Sequence, residues 1–181
     1  MRNNISVSAL SEFVNEVKNS PEEGIASYGV ELDWQSGTRS KVRTLPMEIG
    51  PHKVSRDFSW TIDEPRQLLG TNHAPNPQEY LLSGMGACIL VGFTVGASVM
   101  EIQLESLKVS VKGKLDLAGF LNAREGAPIP FEKIEYEIEV VGDGTPEQFE
   151  QLRQKAVNYS PNAMTIKNNV EIRGSLKIGE S

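Results

Sequence analysis

The sequence predicts an α+β fold in which antiparallel, curved sheets pack against one long, buried central helix. Three observations carry this expectation. From Tyr80 to Met100 there is no charged residue, so that stretch has to be covered. Segments on both sides of it alternate apolar and polar residues, the mark of strands with one wet and one buried face. Helical patterns are grouped apart from the strands rather than interleaved with each of them, which separates α+β from α/β.

In chain order, Ser8–Lys18 predicts a short helix with Leu10, Phe13, Val14 and Val17 on one stripe. Tyr28–Trp34 predicts a strand with Val30, Leu32 and Trp34 on one face, followed by a turn at Gln35-Ser36-Gly37-Thr38. Arg39–Leu45 and Phe58–Ile62 predict two further strands, the second ending in a loop at Asp63-Glu64-Pro65. The central helix begins with Asn76 as N-cap, Pro77 at the first position and Glu79 at the third, a capping-box pattern. Ser106–Leu117 and Glu132–Val141 alternate strongly and predict a strand pair, joined through the Gly- and Pro-bearing loop Gly119–Pro130. Thr145-Pro146-Glu147-Gln148 opens another helix, with Phe149, Leu152, Ala156 and Val157 on its apolar stripe. Ser160-Pro161 breaks it, and Val170, Ile172, Leu176 and Ile178 predict a last strand.

A length of 181 residues suits one domain with a short appendage, expected at residues 1–22, ahead of a main domain over 23–181. The net charge of −6 argues against a nucleic-acid groove, whose phosphates require concentrated Lys and Arg. Tyr80–Met100 is long enough to span a bilayer, but Gln78, Glu79 and Glu101 flank it where basic residues are expected. A buried helix at a protein core or subunit interface is expected instead. The single cysteine excludes an intrachain disulfide, and the start MRNNISVSALSEF has no apolar signal region, so a cytoplasmic location is expected.

That cysteine, Cys88, lies inside the uncharged helix. By packing alone, it reads as a small buried hydrophobe. The helix dipole fades within the first turn, and burial raises a thiol's pKa, so a reactive Cys88 needs a cation from elsewhere. Arg39 and Arg43 share one face of a predicted strand and are candidates, because a guanidinium stays charged in a dry site. His73 precedes the helix and can border a pocket; His52 reads as a loop residue. No clustering at ligand spacing supports a metal, and no cofactor is expected. Met85 and Met100 read as packing residues.

The segment DEPRQLLGTNHAPNPQEYLLSGMGACILVGF, followed by SLKVSVKGKLDLAGFL and SPNAMTI, resembles the OsmC/Ohr family of osmotically inducible and organic hydroperoxide resistance proteins. The likeness runs from about Val30 to the C-terminus. It implies an OsmC-like α+β fold and an intertwined homodimer with sites at the subunit interface. It also implies reduction of organic hydroperoxides by a helix cysteine. In that family an arginine holds the thiolate, a glutamate positions the arginine, and a second cysteine resolves the sulfenic acid.

Carried onto this chain, the resemblance implies Cys88 as the peroxidatic residue and Arg39 as its cation, with Arg43 as a substitute. The family's carboxylate falls at Gln78, which is neutral, leaving Glu79 and Glu64 as nearby replacements. The resolving position falls at Ser160, and a serine forms no disulfide. Two functions are therefore expected to compete. One is a one-cysteine thiol peroxidase acting on hydrophobic hydroperoxides with an external thiol reductant. The other is a non-catalytic dimer that binds a small hydrophobic or electrophilic ligand. An inert Cys88 in a purely structural dimer is the third reading.

Overall fold

The computed structural model describes residues 1–179. Its centre is helix α2, Pro77–Val99, and the rest of the fold is arranged around one side of it. Asn76 Oδ1 accepts from the Glu79 N–H at 2.9 Å, and Glu79 Oε2 accepts from the Asn76 N–H at 2.8 Å, so the expected capping box is formed. The helix stops in a Schellman arrangement. Glu101 takes a left-handed φ of 59°, and the Ile102 N–H reaches back to the Ala97 carbonyl at 2.8 Å.

Before α2 lie helix α1 (Val7–Asn19) and six short strands. Strands β1 (Ala26–Ser27), β4 (Met47–Ile49) and β5 (His52–Val54) form one small antiparallel sheet in the order β1-β4-β5. These strands are too short for an alternation to declare itself, and the sequence reading did not anticipate them. Strands β2 (Val30–Ser36), β3 (Arg39–Thr44) and β6 (Ser59–Ile62) form a second sheet, with Glu31 opposite Arg43 and Val42 opposite Trp60. The turn between β2 and β3 passes through Gly37 at φ 56°. The N-terminal residues are bolted to the core. Asn3 Nδ2 donates to Ser98 Oγ and to the Ile102 carbonyl, while Asn3 Oδ1 accepts from the Leu104 N–H.

After α2, strands β7 (Leu104–Lys114) and β8 (Lys133–Gly142) pair antiparallel over their length. Their inward residues Leu107, Val109, Val111, Ile134, Ile138 and Val140 pack against the core that α2 shares with α4 and α5, with β7 the strand in contact with α2. Helix α4 (Pro146–Asn158), opened by the Thr145–Gln148 capping box, packs on α2 closely: a Cβ on Gly92 would lie 3.3 Å from the Ala156 Cα. Ile89, Phe93, Ala97, Ile102, Leu152 and Ala156 are the sealed heart of this core. Burying each of the larger of these side chains contributes on the order of 2 kcal/mol.

Several expectations need correction. Val170, Ile172, Leu176 and Ile178 form no strand; residues 169–179 are irregular and these four side chains are exposed. Alternation specifies a strand only where a neighbouring edge completes the ladder. Leu117 leaves β7 because Asp116 caps a short helix, α3 (Leu117–Phe120). Ser160-Pro161 ends α4 but also starts helix α5 (Pro161–Lys167), with the Ser160 hydroxyl accepting from the Ala163 N–H. Within a single chain α2 is covered on one face: Leu81, Leu90, Val91 and Val99 are exposed, as is the Val30–Leu32–Trp34 face of β2.

Candidate functional site

The loop between β6 and α2 is a closed structure organised by one carboxylate. Asp63 is 1% exposed and accepts five hydrogen bonds. The Thr38 hydroxyl (3.3 Å) and Glu64 N–H (2.9 Å) donate to Oδ1; the Thr71 N–H (3.1 Å), Thr71 hydroxyl (2.5 Å) and His73 N–H (3.2 Å) donate to Oδ2. The Thr71 hydroxyl bond, ahead of the opposing cost of desolvation and the backbone donors, holds this carboxyl far below the usual carboxylate range. The loop closes because the Asp63 N–H reaches the Pro75 carbonyl and the Asn72 N–H reaches the Glu64 carbonyl. Gly70 is obligatory here, since any Cβ would lie 1.8 Å from the Glu64 carbonyl oxygen.

Arg39, at the start of β3, turns onto this loop. Its Nη2 lies 2.5 Å from Thr71 Oγ1 and 3.3 Å from His73 Nδ1, while its buried Nε has no hydrogen-bond partner. Arg43 goes elsewhere, ion-paired with Glu31 at 2.8 Å and Asp33 at 2.5 Å across the exposed face of the β2–β3 pair. His73 therefore belongs to the Arg39 cluster, whereas exposed His52 lies in the small sheet, 3.8 Å from Glu23.

The acidic positions separate by role. The Glu79 carboxylate is engaged in the capping box. Glu64 Oε2 is buried without a hydrogen-bond partner, and desolvation, followed by the Asp63 and Glu79 charges, pushes this carboxyl above its ordinary range. Gln78 is half-buried in the first turn of α2.

Cys88 is half-buried further along α2. It shares an i, i+4 ridge with Gly84 and Gly92. Gly84 faces Asn162 of α5, whose side-chain amide donates to the Gly84 carbonyl at 2.8 Å, and Gly92 faces Ala156 of α4. Cys88 lies between these two glycines on that ridge, and the α4–α5 connection carries Ser160 at 2% exposure. The structure joins Arg39 to His73 and Thr71, and sets Glu64 within the electrostatic reach of Asp63 and Glu79, while Cys88 lies farther along α2. The helical rise from Gln78 to Cys88 is roughly 15 Å. No hydrogen bond joins Cys88 to Arg39 among the described residues.

Cavities open along α2. One of about 550 Å³ lies between α2, β8 and α5, lined by apolar groups including Leu81, Met85, Phe131, Ile134 and Met164. A second, of about 360 Å³, lies between α2 and β7 beside Leu82, Gly86, Leu90 and Val109. Cys88 lines neither. The residue that sequence reasoning missed is Asp63. Its available signal was an acid at a strand exit followed by the turn-forming run Gly70-Thr71-Asn72.

Residues 70–174 match the family described as OsmC-like protein. Among solved structures, an OsmC-like protein from Mycoplasma pneumoniae is 17% identical, with a TM-score of 0.61 over 78% of this chain and 87% of that one. A Legionella pneumophila protein described as an organic hydroperoxide resistance protein OsmC is 23% identical, with a TM-score of 0.53 over 80% and 92%. An organic hydroperoxide resistance protein from Elizabethkingia anophelis is 18% identical, with a TM-score of 0.56 over 80% and 91%. At these identities the likeness is one of fold. No curated protein matches the sequence.

Proposed function

From the premise that this chain belongs to the OsmC-like protein family, we propose that it is a one-cysteine thiol peroxidase that reduces organic hydroperoxides through Cys88. The observation that carries the reading is a half-buried, unbridged thiol on the uncharged stretch of the central helix, outside the sealed core formed by Ile89 and Phe93. Two similar folds described as organic hydroperoxide resistance proteins favour this substrate class over other thiol chemistry.

The Cys88 thiolate attacks the terminal oxygen of the hydroperoxide. The S–O bond forms as the O–O bond breaks, and the departing alkoxide takes a proton to become an alcohol. Sulfur is oxidised by two electrons to the sulfenic acid. With Ser160 in place of a second cysteine, an external thiol attacks Sγ and water leaves. A second thiol then reduces the mixed disulfide and restores Cys88.

The reading includes a homodimer. The uncovered apolar faces of α2 and β2 give a second copy a surface to bury. Stopped-flow oxidation by cumene hydroperoxide tests the proposal. Cys88 oxidises far faster than a free thiol, and Cys88→Ala abolishes turnover; a rate equal to that of a free thiol rejects it. The apolar cavity of about 550 Å³ favours, as a second reading, a non-catalytic dimer that holds a hydrophobic or electrophilic ligand. Native mass spectrometry showing a retained ligand on a peroxide-inert protein would select that alternative.

A further inference from the structure

We infer that Asp63 and Thr71 are positioning residues for Arg39, a buried carboxylate orienting the guanidinium through one intervening hydroxyl. The inference rests on the reading of Arg39 as the cation of the site, and its geometry lies wholly within one chain.

Proton accounting supports it. Thr71 has one hydroxyl proton, and the 2.5 Å approach to Asp63 Oδ2 uses it, because an ionised carboxylate only accepts. Thr71 Oγ1 must then act as acceptor toward its other two neighbours, Arg39 Nη2 at 2.5 Å and His73 Nδ1 at 2.7 Å. His73 accordingly carries its proton on Nδ1, and the 3.3 Å separation between Arg39 Nη2 and His73 Nδ1 is a contact between two donors rather than a bond. The charge of Asp63 polarises the Thr71 oxygen and strengthens it as an acceptor for the guanidinium.

The contrast with Arg43 shows what this arrangement accomplishes. Arg43 meets Glu31 and Asp33 directly, and its charge is neutralised by two carboxylates. Arg39 is held by one nitrogen against a neutral oxygen, its carboxylate one bond further away, with Nε unpartnered. Such a guanidinium is fixed in orientation and keeps donor capacity for an anion, which is what a thiolate requires. The relay also stands where Gln78 cannot, since an amide brings no negative charge.

The test uses ¹⁵N-labelled full-length protein. Arg39 guanidinium resonances, assigned with Arg39→Lys, are compared in wild type, Thr71→Ser, Thr71→Val and Asp63→Asn. Hindered rotation about the Arg39 Cζ–Nη2 bond is expected in wild type and Thr71→Ser, with free averaging in Thr71→Val. Peroxide oxidation of Cys88 is expected to slow about tenfold in Thr71→Val, the loss of one charge-assisted hydrogen bond. Thr71→Ser restores it, and Thr71→Val adds no further loss in the Arg39→Lys background. An Arg39 signal unchanged in both Thr71→Val and Asp63→Asn overturns the inference. A wild-type protein inert to peroxide rejects the peroxidase reading but leaves the resonance comparison able to decide this one.

Discussion

Replacing Ser160 by cysteine tests both the proposed reactivity of Cys88 and where its side chain points. Ser160 is buried, and its hydroxyl caps α5 through the Ala163 N–H at 3.1 Å. Sulfur is a weak acceptor, so reduced Ser160→Cys should lose about 1 kcal/mol with the cap. If Cys88 points along the Gly84–Gly92 ridge at the α4–α5 connection, one equivalent of hydroperoxide forms a sulfenic acid that the new thiol captures. The disulfide closes a loop of about 70 residues, worth roughly 4 kcal/mol against the unfolded chain. The oxidised variant should therefore exceed wild type by about 3 kcal/mol, a rise in Tm on the order of 10 °C for a protein of this size. Intact-mass analysis should show the loss of two hydrogens, and calorimetry the higher Tm, both reversed by dithiothreitol. Accumulation of species one or two oxygens heavier, with no disulfide, would refute the placement of Cys88 beside Ser160.

Two further outcomes follow from the same geometry. Asp63 has its pKa lowered by folding, so its contribution is fully present above the ordinary value of 3.8 and is lost as pH falls from there through the depressed folded value. Urea unfolding across the acid range should give a shallower pH slope for Asp63→Asn than for wild type; equal slopes would remove Asp63 as the loop's organiser. Val91 is 59% exposed on the open side of α2. On a solvent face Val91→Glu shifts stability by about 0.5 kcal/mol or less, whereas at a subunit interface it dissociates the dimer. Sedimentation should find a wild-type dimer and a Val91→Glu monomer, and a wild-type monomer at micromolar concentration would contradict the dimer.

The legibility of this protein followed the range of the interactions involved. The start of α2 could be read from Asn76, Pro77 and Glu79 because a capping box is made between residues three apart. The β7–β8 pair could be read because ten or so alternating residues leave one register that buries the apolar face. The strand expected at Val170–Ile178 failed because pairing depends on an edge that the alternation itself does not encode. The Ser160-Pro161 step was read only as a break, although the same pair is also a cap and a first helical residue.

Within the site, the residue types were visible and their grouping was not. Sequence alone determined that the chain's single thiol sits in the uncharged stretch of the central helix. Only the folded chain decided that Arg39 turns to Thr71 and His73 while Arg43, on the same strand, is taken by Glu31 and Asp33. It also decided that Asp63, an unremarked loop acid, is the most heavily bonded carboxylate of the loop before α2. The physical reason is that capping and alternation are local, whereas a guanidinium's partner is chosen by whichever acceptor the backbone brings within 3 Å or so, and that choice exists only after the chain has closed.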